Sequence, residues 1–244
     1  MCGRFVSASP PDEIAKYFGV DALGEKLLED HEYVANHNVA PTTQILAVRD
    51  RVEDDTRSRH LDRLHWGLIP FWAKDPSVGN RMINARAETV AEKNSFKRPL
   101  QRRRCIIPVD GFYEWWTRPD HKKKQPMYIT RTDGDMFAFA GLWETWRPKD
   151  DESAAVVESC TIITGAPNKK MAEIHHRMPI MLPPDRWDDW LDPALNDLEQ
   201  LQTFFVAAPS ELINYHPVSL EVNHARNKGE HLVEEVPLAD ENEA

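Results

Sequence analysis

The stretch "CIIPVDGFYEWW", Cys105 to Trp116, decides how this chain folds. Cys105 to Val109 is an apolar run of strand length, too short for an ordinary helix. Asp110-Gly111 then supplies a turn. Beyond it Phe112, Glu114 and Trp116 alternate against Tyr113 and Trp115, the period of two that sends neighbouring side chains to opposite faces of a strand. Strand, turn and strand in close succession mark a chain built mainly of short strands.

Outward from this unit the same pattern recurs at Ile45 to Val48, Leu61 to Trp66, Met127 to Thr130, Met136 to Trp143 and Cys160 to Thr164, between Pro, Gly and charged turns. A short helix is expected after Ser9-Pro10-Pro11, with Pro in its first turn and Gly19 closing it. Further helices are expected over Ala87 to Phe96, Lys169 to His175, Asp185 to Leu191 and Leu198 to Val206. Many strands in succession with few helices between them indicate an α+β fold whose mostly antiparallel sheet curls toward a barrel. The expected organisation is one domain over 1–233 and a mobile acidic tail over 234–244.

The chain has 244 residues, enough to bury a full core. No stretch approaches the roughly 20 apolar residues of a membrane span, and the first residues lack the order of a secretion signal, so the chain reads as soluble and intracellular. Cys2, Cys105 and Cys160 are odd in number and carry no C-x-x-C spacing, which suggests reduced thiols rather than a disulfide framework or a cysteine zinc site. The formal charge is -10. Nine of the acids sit in two places, Asp150 to Glu158 and Glu234 to Glu243, and without them the remainder stands at about -1. That remainder includes Arg102-Arg103-Arg104 and Lys122-Lys123-Lys124, which read either as solvated loops or as phosphate contacts. The overall charge therefore does not exclude a nucleic-acid partner.

Cys2 follows the initiator methionine, which is normally removed before a small residue. A mature chain starting at Cys2 would carry two nucleophiles on one residue, an α-amine of reference pKa about 8 and a thiol of about 8.5. With an aldehyde the amine forms an imine and the thiol adds to the same carbon, closing a five-membered thiazolidine. The same position also suits the nucleophile of a thiol peptidase or amidohydrolase, or an incidental buried thiol.

Four further stretches carry chemistry. In "HWGLIPFWAKDP", His65 to Pro76, Trp66, Phe71 and Trp72 crowd a Pro-bearing loop, as base-stacking rings do and as rings roofing a core also do. "MINARAET", Met82 to Thr89, alternates Asn84, Arg86 and Glu88, placing amide, guanidinium and carboxylate on one face of an extended segment. Glu114 lies among aromatic residues, where poor solvation raises a carboxyl pKa and suits it to acid–base work. In "IHHRMP", Ile174 to Pro179, a histidine can shuttle protons and Arg177 can grip a phosphate in two-pronged fashion. Adjacent histidines on a helix diverge, so His175 and His176 do not suggest a metal site.

Taken in order, Met1 to Phe5, "NVAPT" (Asn38 to Thr42), "WGLIP" (Trp66 to Pro70), "NARAET" (Asn84 to Thr89), "CIIPVDGFYEW" (Cys105 to Trp115), "FAGLWE" (Phe139 to Glu144), "IHHRMP" and "HPVSLEVN" (His216 to Asn223) resemble the SOS response-associated peptidase (SRAP) family, whose members shield abasic sites in DNA. The resemblance spans nearly the whole chain. It implies that mature Cys2 forms a covalent thiazolidine with the ring-opened sugar of an abasic site in single-stranded DNA, with lyase and self-processing peptidase activity through the same groups. By the same resemblance Asn84 holds the sugar, Glu114 assists imine formation and His175, at the fixed position of His-x-Arg-Met-Pro, moves a proton at the sugar oxygen. Arg4, Arg86, Thr164 and Arg177 fall at phosphate-contacting positions. Pro41, Trp72 and Trp115 fall where the strand is contacted or wedged around the missing base. "ITGAPN", Ile163 to Asn168, departs from the family pattern just after Thr164. The expected partner is single-stranded DNA containing abasic sites, met by a monomer without cofactor, metal or membrane, in the cytoplasm or at the nucleoid of a prokaryote or in the nucleus of a eukaryote. A thiol peptidase or amidohydrolase, and a non-covalent nucleic-acid binding module, are the competing readings.

Overall fold

The computed structural model describes residues 2–28, 33–119, 123–151 and 153–238. Its strands are β1 (Phe5–Ser7), β2 (Ala22–Leu23), β3 (Asn36–Val39), β4 (Gln44–Glu53), β5 (Thr56–Trp66), β6 (Asn84–Arg86), β7 (Arg104–Val109), β8 (Gly111–Trp116), β9 (Gln125–Arg131), β10 (Phe137–Trp146), β11 (Val157–Gly165), β12 (Met178–Pro179) and β13 (Ile213–Pro217). The helices are short: α1 (Pro11–Phe18), α2 (Glu25–Leu28), α3 (Lys97–Arg102), α4 (Lys169–Ala172), α5 (Trp187–Leu191) and α6 (Leu198–Gln202).

Two sheets result. One has the order β13-β9-β8-β1-β3 and the other β12-β11-β10-β7-β4-β5-β2, with β6 added beside β11. In the larger sheet β5 also pairs in parallel with β11, Ser159 opposite His65 and Cys160 opposite Trp66, so five strands close into a ring-like wall. The α+β fold with a sheet curled on itself is therefore as the sequence indicates.

Alternation along β10 explains why two layers pack on this wall. Phe137 and Phe139 point into the core shared by both sheets, where they meet Phe112 edge-on at 5.7 and 5.4 Å. Ala138 and Ala140 point the other way, toward Trp187 and Trp190 of α5 and Phe18 of α1. Large residues fill the inter-sheet space and small ones let the helices approach. Cys2, Cys105 and Cys160 all belong to the inter-sheet core.

Several expectations change. Ala87 to Phe96 forms successive turns, as in Thr89 N–H to Arg86 O at 3.1 Å and Phe96 N–H to Lys93 O at 2.9 Å. The helix starts afterwards, at Lys97, where Pro99 sits in the first turn and no N–H is missed. The expected helices after Lys169 and Leu198 end at Ala172 and Gln202, and the one from Asp185 opens with a 3-10 turn, Pro184–Arg186, before α5. The long β4–β5 hairpin extends well past Val48 and begins well before Leu61, through an Asp54-Asp55 turn with φ of 48° and 60°. α1 is as expected, with Gly19 at φ 65° donating to Ala15 O. Val236 N–H donates to Pro217 O at 3.0 Å. Residues 239–244 of the expected tail, and Lys122 of the basic triplet, lie outside the described residues.

Candidate active site and nucleic-acid interface

Cys2 enters the fold beside β1, which pairs with both β3 and β8. Phe5 faces Val39 and Phe112, so the residues before it are drawn into the gap between the sheets. Cys2 is 0 % exposed. Burial, and then the charge of nearby Glu114, push its thiol far above the ordinary range, while the Arg4 backbone N–H works against them. The sulfur is thus held as a protonated thiol, whereas a free terminus would carry a usable thiolate fraction.

Asn84 is brought to Cys2 by β6, whose Asn84, Ala85 and Arg86 lie alongside Ile162, Ile163 and Thr164 of β11. Asn84 Nδ2 donates to Cys2 O at 2.9 Å. Its Oδ1 is buried with no hydrogen-bond partner among the described residues. That oxygen is an acceptor held ready beside the terminal residue.

Glu114 comes from β8, where it pairs with Met127 of β9 and is 2 % exposed. Burial raises its pKa, as its aromatic neighbours predict. His175 Nε2 stands 3.9 Å from Glu114 Oε2. On the other side of the ring, Nδ1 lies 3.0 Å from the Arg177 backbone N–H. Nδ1 also lies 3.1 Å from the Arg177 backbone O, so it can accept from the amide in one neutral tautomer or donate to the carbonyl in the other, while Nε2 faces Glu114. Burial lowers the His175 pKa to about 4. His176 is exposed and stacks on His175 with ring centroids 4.4 Å apart. Among the described residues no three His, Cys, Asp or Glu side chains come together as metal ligands would.

The expected phosphate contacts differ in how much of their charge is already spent. Arg4 Nη1 donates to Asn38 Oδ1 at 2.7 Å and Val222 O at 2.8 Å, and Nη2 to Asn223 O at 3.3 Å. Arg177 grips Glu88 with both arms, at 2.5 and 2.9 Å, and also donates to Thr164 O at 2.5 Å. This pairing lowers the Glu88 pKa. Arg86 is exposed with no ion pair among the described residues. Thr164 is fully buried, so its backbone anchors Arg177 rather than facing solvent. Of the three residues alternating in "NARAET", Asn84 turns to Cys2, Glu88 lies past the strand end on Arg177, and Arg86 stays outside.

Trp66 is fully buried, donating to Ile83 O at 2.9 Å and packing on Phe5 at 5.1 Å, so it belongs to the core and not to the loop's outer surface. Phe71 and Trp72 are 46 % and 41 % exposed. Trp115 donates to Asn223 Oδ1 at 2.7 Å. Pro41 leads into Thr42, whose φ of 66° is strained for a β-branched residue. Since Val39 faces Phe5, this turn borders the start of the chain.

Two groups escaped the sequence reading. Asn38 is fully buried and its amide donates to Val222 O, His224 O and Asn227 O at 3.1, 3.2 and 3.0 Å, fastening the C-terminal segment behind Arg4. Lys228 donates to Asn38 O at 2.5 Å. Only the presence of Asn38 and Asn223 inside the "NVAPT" and "HPVSLEVN" segments pointed toward this network. The arginine triplet is also structural in part. Arg104 is buried and donates to Leu100 O at 2.7 Å and Trp190 O at 2.6 Å, and Arg103 pairs with buried Glu144. Arg104 is not solvated, and the charge of half-buried Arg103 is already paired.

The family model described as SOS response associated peptidase (SRAP) matches residues 1–225. Abasic site processing protein YoqW of Bacillus subtilis is 42 % identical over 234 residues, spanning 96 % of this chain and 99 % of the relative. Abasic site processing protein YedK of Escherichia coli is 32 % identical over 240 residues, spanning 97 % and 100 %. A crystal structure of a Bacteroides thetaiotaomicron protein superposes with a TM-score of 0.83 at 23 % identity, over 97 % of this chain and all of that one, and supports the fold.

Proposed function

The chain belongs to the SOS response associated peptidase family, and on that premise we propose that it captures abasic sites in DNA by a covalent bond to mature Cys2. The observation that carries this reading is the convergence of Asn84 and Glu114 on Cys2, with His175 behind Glu114. With Met1 removed, the α-amine of Cys2 adds to the C1′ aldehyde of the ring-opened deoxyribose, and water leaves to give the imine. The thiol then adds across that C=N, sulfur bonding to carbon while its proton reaches nitrogen, and the thiazolidine closes. A thiol kept protonated by burial needs a base at this step, and the Glu114 carboxylate is next to it. His175 moves a proton to the oxygen that departs as water. Without the sulfur the imine is free to eliminate, which is the lyase route.

The substrate is a single strand, because the exposed aromatic rings of the rim suit unpaired bases. One chain contributes all the converging groups, so the protein acts as a monomer. It works where the DNA is, at the nucleoid or in the nucleus. Self-processing fits the same geometry. Cys2 is 0 % exposed, so an external exopeptidase reaches its amide bond only before the fold closes. After closure, Glu114, whose charge acts on the Cys2 thiol, is the acid–base candidate for that step.

Intact-mass spectrometry tests the reading, first on the purified protein and then after mixing with an abasic single-stranded oligonucleotide. The expected masses are a chain lacking Met1 and a heat-stable adduct of one oligonucleotide less one water. Cys2→Ala should lose the heat-stable adduct. Equal yields from that variant and the parent, or capture by a chain that retains Met1, would overturn it.

A further inference from the structure

The loop between β5 and β6 displays two rings that the fold does not need. Ile69 and Ala73 pin this loop into a small apolar cluster with Trp146, and Ala73 N–H donates to Pro70 O at 2.9 Å. Phe71 and Trp72, between them, point outward, and Phe71 joins no buried cluster. The Arg98 guanidinium of α3 lies over the Phe71 ring, 4.7 Å from its centroid. Arg98 is exposed and has no carboxylate partner among the described residues. Lys74 and Lys97, adjoining the two elements, are exposed as well.

A cation stacked on an aromatic ring, with the charge unspent and the ring on a pinned loop, is a surface prepared for a flat anionic ligand. The loop is tied to the crosslinking site by Leu68 N–H to Met82 O at 3.2 Å, Trp66 Nε1–H to Ile83 O at 2.9 Å and Asn84 Nδ2–H to Cys2 O at 2.9 Å. At no more than about 3.5 Å of chain per residue, with the two hydrogen-bonded crossings added, Phe71 stands within roughly 35 Å of Cys2. This span fits the roughly 4–16 nucleotides that single-strand binding folds cover. We propose that Phe71 and Arg98 form a second nucleotide subsite, stacking a base of the strand that flanks the lesion while the guanidinium edge meets a phosphate. The inference rests on the DNA reading above and adds to it a preference for long flanks.

Fluorescence anisotropy with a 5-nucleotide and a 21-nucleotide single strand, each with one central tetrahydrofuran abasic analogue that cannot crosslink, tests it (probe lengths of about this size bracket the proposed span). The readout is the ratio of affinities, long over short. Phe71→Ala should cut that ratio roughly fivefold to tenfold, the loss of one stacked base. Arg98→Ala should cut it similarly and flatten the salt slope on the long strand by about 0.7, one phosphate contact. Arg98→Lys should keep the slope while losing part of the ratio. A ratio and slope in both alanine variants equal to the parent's would overturn the proposal. Failure of the parent to bind either strand would instead overturn the DNA reading itself.

Discussion

His175 shows how one residue's surroundings set its chemistry. Burial holds its pKa near 4, below the ordinary 6.5, so the folded protein prefers the neutral ring. The unfolded chain binds the proton first as pH falls, and stability is therefore full above pH 6.5 and lost as pH drops toward about 4. Glu114, whose pKa is raised by burial, acts in the opposite sense, losing stability as pH rises through its folded pKa. His175→Gln should remove the first dependence and leave the second. Urea midpoints of parent and variant, compared at pH 7 and pH 4.5, check it: the variant should gain on the parent at the lower pH, and a constant difference would contradict the assignment. At this scale the sequence was informative where burial could be inferred from immediate neighbours, as for Glu114 between aromatic residues. It misled where a charged residue serves distant backbone. Arg104 reads as one of three exposed cations, yet its partners are carbonyls of α3 and α5, up to 88 residues away. Nothing local marks those carbonyls as short of donors.

Strands were legible where their alternation is apolar and obscure where it is charged. β10 declares itself through Phe137, Phe139 and the alanines between them. The far half of the β4–β5 hairpin, Arg49 to His60, is mostly charged, and the periodicity is carried by ion pairs such as Arg49–Asp62 at 2.6 Å and Arg57–Asp50 at 2.5 Å. β10 also has a glycine whose need is steric. A Cβ on Gly141 would lie 2.8 Å from Cys105 Sγ and 3.2 Å from the Thr161 backbone oxygen. Both neighbours lie on strands paired directly to β10, so neither can move without disturbing the ring. Gly141→Ala should cost about 1–3 kcal/mol, as overpacking of a tight core does. Denaturant unfolding of Gly141→Ala alone and with Cys105→Ala checks the cause. The substitution should cost at least about 0.5 kcal/mol less in the second background, where the sulfur is gone. Equal costs would locate the strain at the Thr161 carbonyl or at Ile107, whose Cγ1 lies 3.2 Å from the same Cβ.

Across the whole molecule the site is a seam. Cys2 leads into β1 of the five-stranded sheet, to which Glu114 belongs, Asn84 and Thr164 belong to the ring-like one, and His175 to the loop between α4 and β12. No single segment of sequence reports that closure, because it depends on β5 meeting β11 some 94 residues later. Only the order of motifs along the chain implied it. The seam also explains how a chain of formal charge -10 can hold a polyanion: what counts is the unneutralised charge at the rim. Arg177 is a phosphate candidate by position, yet Glu88 already occupies both arms of its guanidinium. A phosphate that displaces Glu88 exchanges one anion for another and releases no net counterion. On a strand too short to reach Arg98, only Arg4 and Arg86 then contribute, and log affinity should fall with log salt at a slope of about -1.4. Glu88→Gln leaves the Arg177 charge open and should steepen that slope to about -2.1 while raising affinity at low salt. Anisotropy titrations of parent and variant from low to moderate salt measure both quantities. A slope unchanged by the substitution, with weaker binding, would mean that Glu88 orients Arg177 and that the guanidinium is a post of the fold, not a hand on the DNA.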